Sequence, residues 1–323
     1  MVKARSTHRR TANLRPLALL VICLIGLAGS GAALAQQPSS CADVQPTATL
    51  TVQGLEFRSY KTEDKACLKV FRNRVLIYHN EEEGGTLTFG SNEDAASSPG
   101  GVAPGTDVIG RGHANVLALY YSGGAHCCTQ LLIFELDPTL TLLTRVNLGN
   151  DDGPQFKRDS TNKHYLMATI DNTFGYWHTY FAASPLTPIL LEPLDDGKGG
   201  IRFALAVKAM RKPDPTQAEW NANDLKSARE AFLRENIFDN YYVGSDLWRS
   251  MLLRIYAGQD AWAWKTVDAA WPARKPGKDA FLKDFCGQLS QSPYWADLRP
   301  TIKNSPPACA ETFAQPHKKT PAK

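Results

Sequence analysis

The sequence has none of the short motifs by which many hydrolases and nucleotide-binding proteins are identified. It contains no G-x-S-x-G elbow, H-E-x-x-H helix, phosphate-binding P-loop or C-x-x-C pair. Nucleophilic, zinc-dependent and nucleotide-driven catalysis therefore have no motif to support them. We expect a protein that is not an enzyme and that carries no cofactor.

Positive charge is also scarce once the first segment is set aside. Five of the 36 basic residues lie in residues 1–35, which leaves 31 against 32 acidic residues. The rest of the chain is nearly neutral and has no basic stripe beyond His317-Lys318-Lys319. This composition argues against nucleic acid as a partner.

The chain has little continuous apolar sequence. An apolar stretch covers residues 17–27 and is shorter than the roughly 20 residues of a membrane-spanning helix. It follows a basic segment without acids and precedes Ala33-Leu34-Ala35, which is typical of a secretory signal peptide rather than of an anchor. We therefore predict a signal peptide at residues 1–35, no membrane span in the mature chain, and a location in the periplasm of a Gram-negative-type envelope or outside the cell.

Cysteine is infrequent, and its number is even after that segment. Seven cysteines occur, and Cys23 would leave with the signal peptide. The remaining six are Cys41, Cys67, Cys127, Cys128, Cys286 and Cys309. An even set in an exported protein predicts disulfides. We expect the two N-terminal cysteines to pair with each other, and the two C-terminal ones likewise, because each pair closes a short loop.

Residues 36–209 carry the pattern of a β-rich domain. Short runs rich in β-branched and aromatic residues are separated by Gly, Asp, Asn and Pro. The runs begin at Thr47, Cys67, Arg74, Thr86, Val116, Leu131 and Leu140. Several short strands at a spacing of roughly ten residues favour a sandwich, a barrel or a propeller.

Residues 210–309 change to helical spacing, with apolar residues recurring every three or four positions. Six of the seven tryptophans lie at or beyond Trp220, and we expect them to pack the core of a small helical domain. Asp260 is expected to cap one helix. The predicted fold class is α+β: a propeller-like or sandwich-like β-rich domain, an α-helical domain, and a flexible basic tail at residues 310–323.

One motif stands apart from this pattern. Tyr121-Ser-Gly-Gly-Ala-His-Cys-Cys-Thr-Gln lies between two predicted strands, and its paired glycines allow a tight turn. The candidate functional residues are Ser122, Gly123, Gly124, His126, Cys127 and Cys128.

Three interpretations of Cys127-Cys128 remain open. Adjacent Cα atoms lie about 3.8 Å apart, just short of the usual range for a disulfide, so a vicinal disulfide would be strained and easily reduced. Alternatively, neighbours on a strand point to opposite faces, and the two thiols have separate structural roles. In the third interpretation, His126 and Cys128 share a face and form part of a zinc site that His113 or His164 completes.

The motif resembles a group of exported bacterial proteins of unknown function that share a Ser-Gly-Gly-Ala-His-Cys-Cys signature. Those proteins are distantly similar to FG-GAP/VCBS propeller-type repeats, in which an acidic, glycine-rich loop precedes a strand. The matching stretch here is Gly105-Thr-Asp107-Val-Ile-Gly110-Arg-Gly112, and shorter matches lie at residues 171–177 and 255–259. The resemblance implies a β-rich, repeat-like domain with a helical tail and no established activity.

The matching loop keeps its glycines and Asp107 but has lost the other acids. Calcium takes about six or more oxygen ligands, usually with several carboxylates, so Asp107 alone does not predict a calcium site. The weak metal candidates are Asp107, His113, His126 and Cys128, and we expect no bound metal.

These observations lead to three functional hypotheses. The first is a non-enzymatic binding or scaffold protein of the cell envelope, whose partner is a protein or a cell-wall or surface glycan. Tyr176-Trp-His-Thr-Tyr is a candidate lining for a sugar or peptide pocket, although strand packing explains its aromatic residues equally well. The second hypothesis is a redox- or metal-responsive module built on His126, Cys127 and Cys128. The third is an envelope hydrolase.

Overall fold

A computed structural model of the protein describes residue 41 and residues 44–90, 98–125, 127–158, 163–232 and 244–315. The predicted signal peptide at residues 1–35 lies outside these ranges. His126 and residues 316–323 of the predicted tail also lie outside them.

Twelve β-strands in the described residues form three antiparallel sheets of four strands each. The first sheet comprises β1 (Ala48–Val52), β2 (Leu55–Lys61), β3 (Lys65–Arg72) and β4 (Val75–Glu83). The second comprises β5 (Thr86–Phe89), β6 (Asn115–Gly124), β7 (Cys127–Glu135) and β8 (Thr141–Gly149). The third comprises β9 (Gln155–Arg158), β10 (Tyr165–Asp171), β11 (Thr187–Asp195) and β12 (Ile201–Leu205). In each sheet the strands lie side by side in chain order, and none of the three closes into a barrel.

The helices of the described chain follow the sheets. They are α1 (Val207–Met210), α2 (Gln217–Trp220), α3 (Lys226–Ala231), α4 (Ser245–Tyr256), α5 (Asp260–Ala270), α6 (Lys278–Leu289), α7 (Trp295–Leu298) and α8 (Ala310–Ala314). A π-helical turn at Asn221–Leu225 joins α2 to α3. The predicted order, a β-rich part followed by helices, is confirmed.

The second sheet is buried on both faces, which explains the continuous apolar runs in its two central strands. Val116 of β6 and Phe134 of β7 pack against the first sheet, where the ring of Phe57 lies 5.8 Å from that of Phe134. Leu117 and Ile133, at the alternate positions, belong instead to the core formed with the third sheet and the helices. Successive side chains of one strand therefore enter two different cores.

The third sheet and the helices share one hydrophobic core. Met167 of β10 lies in the same cluster as Trp248 of α4 and Phe285 of α6. The ring of Trp177, which follows β10, lies 5.1 Å from that of Trp248. The buried tryptophans of the helical part are Trp220, Trp248, Trp264, Trp271 and Trp295. Their burial confirms that these rings pack the helical core.

Two details of the helical part differ from the sequence prediction. Asp260 begins α5, but its carboxylate accepts hydrogen bonds from the main-chain N–H groups of residues 303 and 304, at 2.8 and 2.6 Å. It therefore fixes a distant loop instead of capping its own helix. Residues 310–314, predicted as the start of a flexible tail, form α8. The reason is that Phe313 is buried against Trp295, with 4.9 Å between ring centres.

Two predicted disulfides are confirmed. Cys41 and Cys67 are bonded at 1.94 Å, and Cys286 and Cys309 at 1.99 Å. Each disulfide can stabilise the fold by roughly 3 kcal/mol, because it restricts the unfolded chain. Such bonds are typical of proteins in oxidising compartments. In the described part of the chain, every helix is too short or too polar to cross a bilayer.

Candidate functional site

The Ser-Gly-Gly-Ala-His-Cys-Cys motif forms the end of the β6–β7 hairpin. The two strands pair regularly from Asn115 to Tyr121, and after an irregularity Gly124 pairs with Cys127. Gly123 has a φ angle of +87°, a conformation that residues with a Cβ atom rarely adopt. The turn itself therefore requires a motif glycine.

Two side chains of the motif bind the backbone of the same hairpin. Ser122 Oγ accepts a hydrogen bond from the main-chain N–H of Cys128 at 2.9 Å. Tyr121 donates its hydroxyl hydrogen to the carbonyl oxygen of Gly124 at 2.6 Å. The ring of Tyr121 is left 41% exposed. The hairpin end is thus held in shape while an aromatic ring faces outward.

Cys128 is disulfide-bonded, so in this oxidised form it offers no thiolate to a metal. The side chain of Cys127 and the whole of His126 lie outside the described residues. The vicinal pairing of Cys127 with Cys128 therefore stays a prediction. The same holds for any metal site that includes His126.

A cleft of about 500 Å³ opens beside this hairpin. We call it the motif cleft, and its described lining consists of Thr86, Thr88, Tyr121, Gly124, Ala125, Thr129, Gly149, Asn150, Asp152 and Phe181. Tyr121 of β6 pairs with Thr86 of β5 on one side and with Thr129 of β7 on the other. By strand alternation these side chains share the face of Leu117 and Ile133. The apolar face of the second sheet therefore ends in a row of hydroxyl and aromatic groups.

The turn after β8 forms one wall of the cleft through Asn150 and Asp152. Asn172, at the end of β10, holds this turn with its side-chain amide. Its Nδ2 donates to the carbonyl oxygen of Leu148 at 3.0 Å, and its Oδ1 accepts from the N–H of Asn150 at 3.3 Å. Gly149 has a φ angle of +59°, and a Cβ atom there would lie 2.7 Å from Nδ2 of Asn172, so a larger residue would be strained and would displace this amide. This wall is therefore held by the third sheet.

Phe181 lines the cleft from the segment between β10 and β11. We call residues 173–184 the aromatic loop. Phe174 and Trp177 anchor the loop, since both are buried and their ring centres lie 5.1 Å apart. Tyr176 is exposed instead, and its ring centre lies 5.3 Å from that of Phe181. The loop thus places aromatic rings both in the core and at the surface.

The aromatic loop contains two bulky residues in the left-handed region of backbone space. Tyr176 has a φ angle of +60° and His178 one of +49°. Each such residue costs on the order of 1–3 kcal/mol, and strain of this kind concentrates at binding and catalytic sites. The loop is held by the N–H of Tyr176, which donates to Ser184 Oγ at 2.9 Å, and by His178 Nε2, which lies 2.7 Å from Asp284 Oδ2 on α6.

The glycine-rich loop at residues 105–112 is closed by hydrogen bonds from its own backbone. The two carboxylate oxygens of Asp107 accept hydrogen bonds from the N–H groups of Gly110 and Gly112, at 2.7 and 2.8 Å. Asn115 Oδ1 accepts from the N–H of Val108 at 2.9 Å. Asp107 therefore organises this loop with both of its oxygens engaged.

The histidines considered as zinc ligands also have carboxylate neighbours. His113 Nδ1 lies 2.7 Å from Asp137 Oδ1. His164 Nε2 lies 3.9 Å from the nearest carboxylate oxygen of Glu192. Asp107, His113 and Cys128 each have a different structural role.

Within the described ranges, one group of three metal-ligating side chains lies within 4.8 Å: Cys67, His79 and Glu81. The sulfur of Cys67 is bonded to Cys41, so it is not a thiolate. Glu81 is bound by Lys65 at 3.0 Å, and this hydrogen bond lowers the pKa of Glu81. The oxidised protein thus retains two of these ligands, fewer than the three or four that zinc takes from proteins.

No family model, curated protein or solved structure matches the chain. The resemblance of the motif to exported bacterial proteins with the same signature therefore stays a prediction, as does their distant similarity to FG-GAP/VCBS repeats.

Sequence reasoning identified the motif but not the cleft that it lines. Thr86, Asn150 and Phe181 are far apart in the sequence, and strand pairing and turns bring them to the motif. The alternation Thr-Leu-Thr-Phe at residues 86–89 was the one available signal, because it marks a strand with one polar face. It does not reveal which segment lies opposite that face.

Proposed function

We propose that the protein is a non-enzymatic binding module of the bacterial cell envelope, exported to the periplasm, and that the motif cleft is its binding site. The observation that carries this proposal is the meeting of two unusual segments at one cleft. The signature hairpin contributes Tyr121 and Gly124, and the strained aromatic loop contributes Phe181. Backbone strain is retained mainly where a site depends on it. The partner is a protein or a cell-wall or surface glycan.

We further infer that the three sheets correspond to blades of a propeller-type arrangement. Four-stranded antiparallel sheets that follow one another in the chain are the unit of such folds. The last strands of successive sheets touch: Arg145 of β8 donates to Glu82 of β4 at 2.6 Å, and β8 contacts β12. The first strands β1 and β5 are also in contact. The contacts between the last strands of successive sheets support the distant similarity to FG-GAP/VCBS repeats, while β5 contacts β2 and β3 as well as β1.

The proposed binding role is tested by retention of the purified protein on envelopes of the bacterium that produces it. The bound fraction is measured by sedimentation. We expect Tyr121→Ala and Phe181→Ala to weaken binding by about tenfold, as for aromatic residues at the centre of an interface. Val75→Ala is the control, because Val75 is 63% exposed on β4 in the first sheet. Equal retention of all four proteins would contradict the proposal.

One observation favours a second function, a redox- or metal-responsive module: Cys128, a residue of the motif, is disulfide-bonded. Equilibration with mixtures of reduced and oxidised glutathione, followed by thiol labelling and mass spectrometry, separates the two functions. A binding module predicts that Cys128 stays oxidised over the same range as Cys286 and Cys309. A redox module predicts that Cys128 is reduced first. Zinc in protein purified from the periplasm would also favour the second function.

A further inference from the structure

The floor of the motif cleft presents a ring beside hydroxyl groups. Thr86 and Thr129 flank Tyr121 directly, and Gly149, which has no side chain, follows next to Thr129. Thr129 is almost fully buried, whereas Thr88 is exposed at the rim. A ligand in the cleft therefore meets the ring of Tyr121 beside the side chains of Thr86 and Thr88, whereas the buried Thr129 is not presented to it.

Tyr121 presents its ring to the cleft rather than its hydroxyl group. The hydroxyl hydrogen is donated to Gly124, as described above, and this bond fixes the direction of the ring. The face of an aromatic ring carries partial negative charge. The C–H groups on one side of a pyranose ring carry partial positive charge, so a sugar can pack flat on such a face. Phe181 offers a second ring to the same cleft.

Asn150 adds an unsatisfied acceptor to the wall. Its Oδ1 atom is buried and accepts no hydrogen bond within the described part of the chain. A buried acceptor without a donor costs about 1–3 kcal/mol, and few are found in native proteins. Other atoms of Asn150 line the cleft, so rotation of its side-chain amide would bring this acceptor to a hydroxyl donor of a ligand.

The charge of the described lining residues disfavours acidic ligands. Among the described lining residues, Asp152 carries the single ionised group, and lysine and arginine are absent. An anion would meet this carboxylate without a compensating cation. An extended peptide is disfavoured as well, because Tyr121 and Thr129 belong to central strands whose backbones already pair on both sides.

From these four features we infer that the motif cleft binds a neutral glycan, with one sugar ring packed on Tyr121 and sugar hydroxyls bonded to Thr86, Thr88 and Asn150. The inference rests on the proposed function, which makes the motif cleft the binding site. A volume of about 500 Å³ lies within the usual range of small-molecule sites, roughly 300–1,000 Å³, and suits a short oligosaccharide segment of a longer chain.

The test is calorimetric titration of the mature protein with defined oligosaccharides. The neutral probes are tetrasaccharides of N-acetylglucosamine, glucose, mannose and galactose, and the anionic probe is tetragalacturonate. We expect at least one neutral probe to bind and tetragalacturonate not to bind. Tyr121→Ala should weaken binding by about tenfold, whereas Tyr121→Phe, which keeps the ring but loses its hydrogen bond to Gly124, should weaken binding less than Tyr121→Ala does. Leu76→Ala on the exposed edge of β4 is the control and should bind like the wild type.

The result separates the ligand class from the proposed function. No binding of any neutral probe at about 10 mM would overturn the glycan inference. Preferential binding of tetragalacturonate would also overturn it. If envelope retention still depends on Tyr121 in either case, the proposed function stands and the ligand is of another class. If retention is also independent of Tyr121 and Phe181, both proposals fall. Should Tyr121→Ala fail to fold, Phe181→Ala and Asn150→Ala provide the same comparison.

Discussion

At the scale of single residues, His113 and Asp137 form a pair whose strength depends on pH. Their hydrogen bond raises the pKa of His113 above 6.5 and lowers the pKa of Asp137 below 3.8. The stability that protonated His113 contributes to the folded state is complete below pH 6.5 and is lost as pH rises through the raised pKa. The contribution from Asp137 is complete above pH 3.8 and is lost as pH falls through the lowered pKa. We therefore expect the charged pair at mildly acidic pH.

Nuclear magnetic resonance titration of the imidazole of His113 checks this prediction. Asp137→Asn should bring the pKa of His113 back towards 6.5, since the hydrogen-bonded carboxylate is the main cause of its rise. Asp152→Asn, which removes an exposed acid on the cleft, should leave the pKa of His113 unchanged. A wild-type pKa for His113 at or below 6.5 would show that the pair does not form in solution.

Tyr256 and Asp171 connect α4 to the third sheet through a buried hydrogen bond. Tyr256 donates its hydroxyl hydrogen to Asp171, and Ser292 donates to the same carboxylate oxygen at 2.6 Å. We expect Tyr256→Phe to lower the free energy of unfolding by about 1–3 kcal/mol, because the buried carboxylate loses a donor. Urea unfolding measures the change. Tyr165→Phe on the half-buried part of β10 is the control, with an expected change within about 0.5 kcal/mol.

The same hydrogen bond has a consequence at alkaline pH. Burial, followed by the charge of Asp171, raises the pKa of Tyr256 above its ordinary value of 10. The unfolded chain therefore ionises first, and the stability contributed by the neutral phenol is lost as pH rises above 10. The free energy of unfolding of Tyr256→Phe should therefore decrease less above pH 10 than that of the wild type. Identical pH dependence of the two proteins above pH 10 would mean that Tyr256 ionises freely in the folded state.

Residue pairs differ in how far the sequence predicts them. The disulfides of Cys67 and Cys286 were predictable, because each partner is near in the chain and the predicted export would place both pairs in an oxidising compartment. The partners of Asp171 were not, since Tyr256 and Ser292 come from distant helical segments. Asp260 illustrates the same limit: its position favoured a local cap, and the folded chain offered it a distant backbone instead.

At the scale of elements, β4 has an apolar edge that packing does not cover. Val75, Leu76 and Ile77 are 63%, 48% and 42% exposed, and β4 is the last strand of its sheet. Exposed apolar edge strands promote association, and a lysine opposes it. We expect Leu76→Lys to reduce self-association at high protein concentration, measured by sedimentation velocity, and to change the free energy of unfolding by less than about 0.5 kcal/mol.

A buried leucine on the adjacent strand provides the matched control. Leu68 of β3 is fully buried, so Leu68→Ala should lower the free energy of unfolding by about 2–5 kcal/mol. A comparable loss for Leu76→Lys would mean that Leu76 is packed in solution, against the exposure found here.

Strand prediction succeeded for the apolar runs of the first and second sheets but singled out neither β2 nor any strand of the third sheet, β9 to β12. β6 and β7 were evident from their runs, because the middle sheet contacts two cores. β11 was not singled out, since it contains Pro188 and Pro193, and proline removes a ladder hydrogen bond. The sheet accommodates both prolines, because β11 pairs with β10 only from Thr187 to Leu191 and with β12 only from Leu191 to Asp195. Each proline thus lies where β11 has one neighbour.

At the scale of the whole molecule, the sequence predicted two successive parts but not that they share a core. The change of periodicity near residue 210 is real, since strands end at Leu205 and helices begin at Val207. Burial, however, is a property of packing between elements. Met167 of β10 and Trp248 of α4 lie in one cluster although their local patterns differ in period. The predicted boundary at residues 209 and 210 therefore marks the change from strands to helices. Whether the two parts unfold together is a separate question.

The shared core predicts that the sheets and helices unfold together. Met167→Ala in β10 should lower the free energy of unfolding of the helices by about 2–5 kcal/mol. The reason is that Met167 is fully buried in the cluster that also contains the tryptophans of the helices. Tryptophan fluorescence reports on the helices, since six of the seven tryptophans lie at or beyond Trp220. Hydrogen exchange of β6 and β7 reports on the second sheet.

Both measurements in urea should give one transition at the same midpoint in the wild type, and Met167→Ala should shift both by the same amount. Phe57→Ala tests whether a change in one core affects the unfolding of the other, because Phe57 lies in the core between the first and second sheets and not in the core of the helices. If the fold is one cooperative unit, Phe57→Ala also shifts the tryptophan transition. If Phe57→Ala leaves the midpoint of the tryptophan transition unchanged, and this transition occurs at lower urea concentration than the hydrogen exchange of β6 and β7, the helices form an independent domain. The shared core would then be a contact between two separately stable parts.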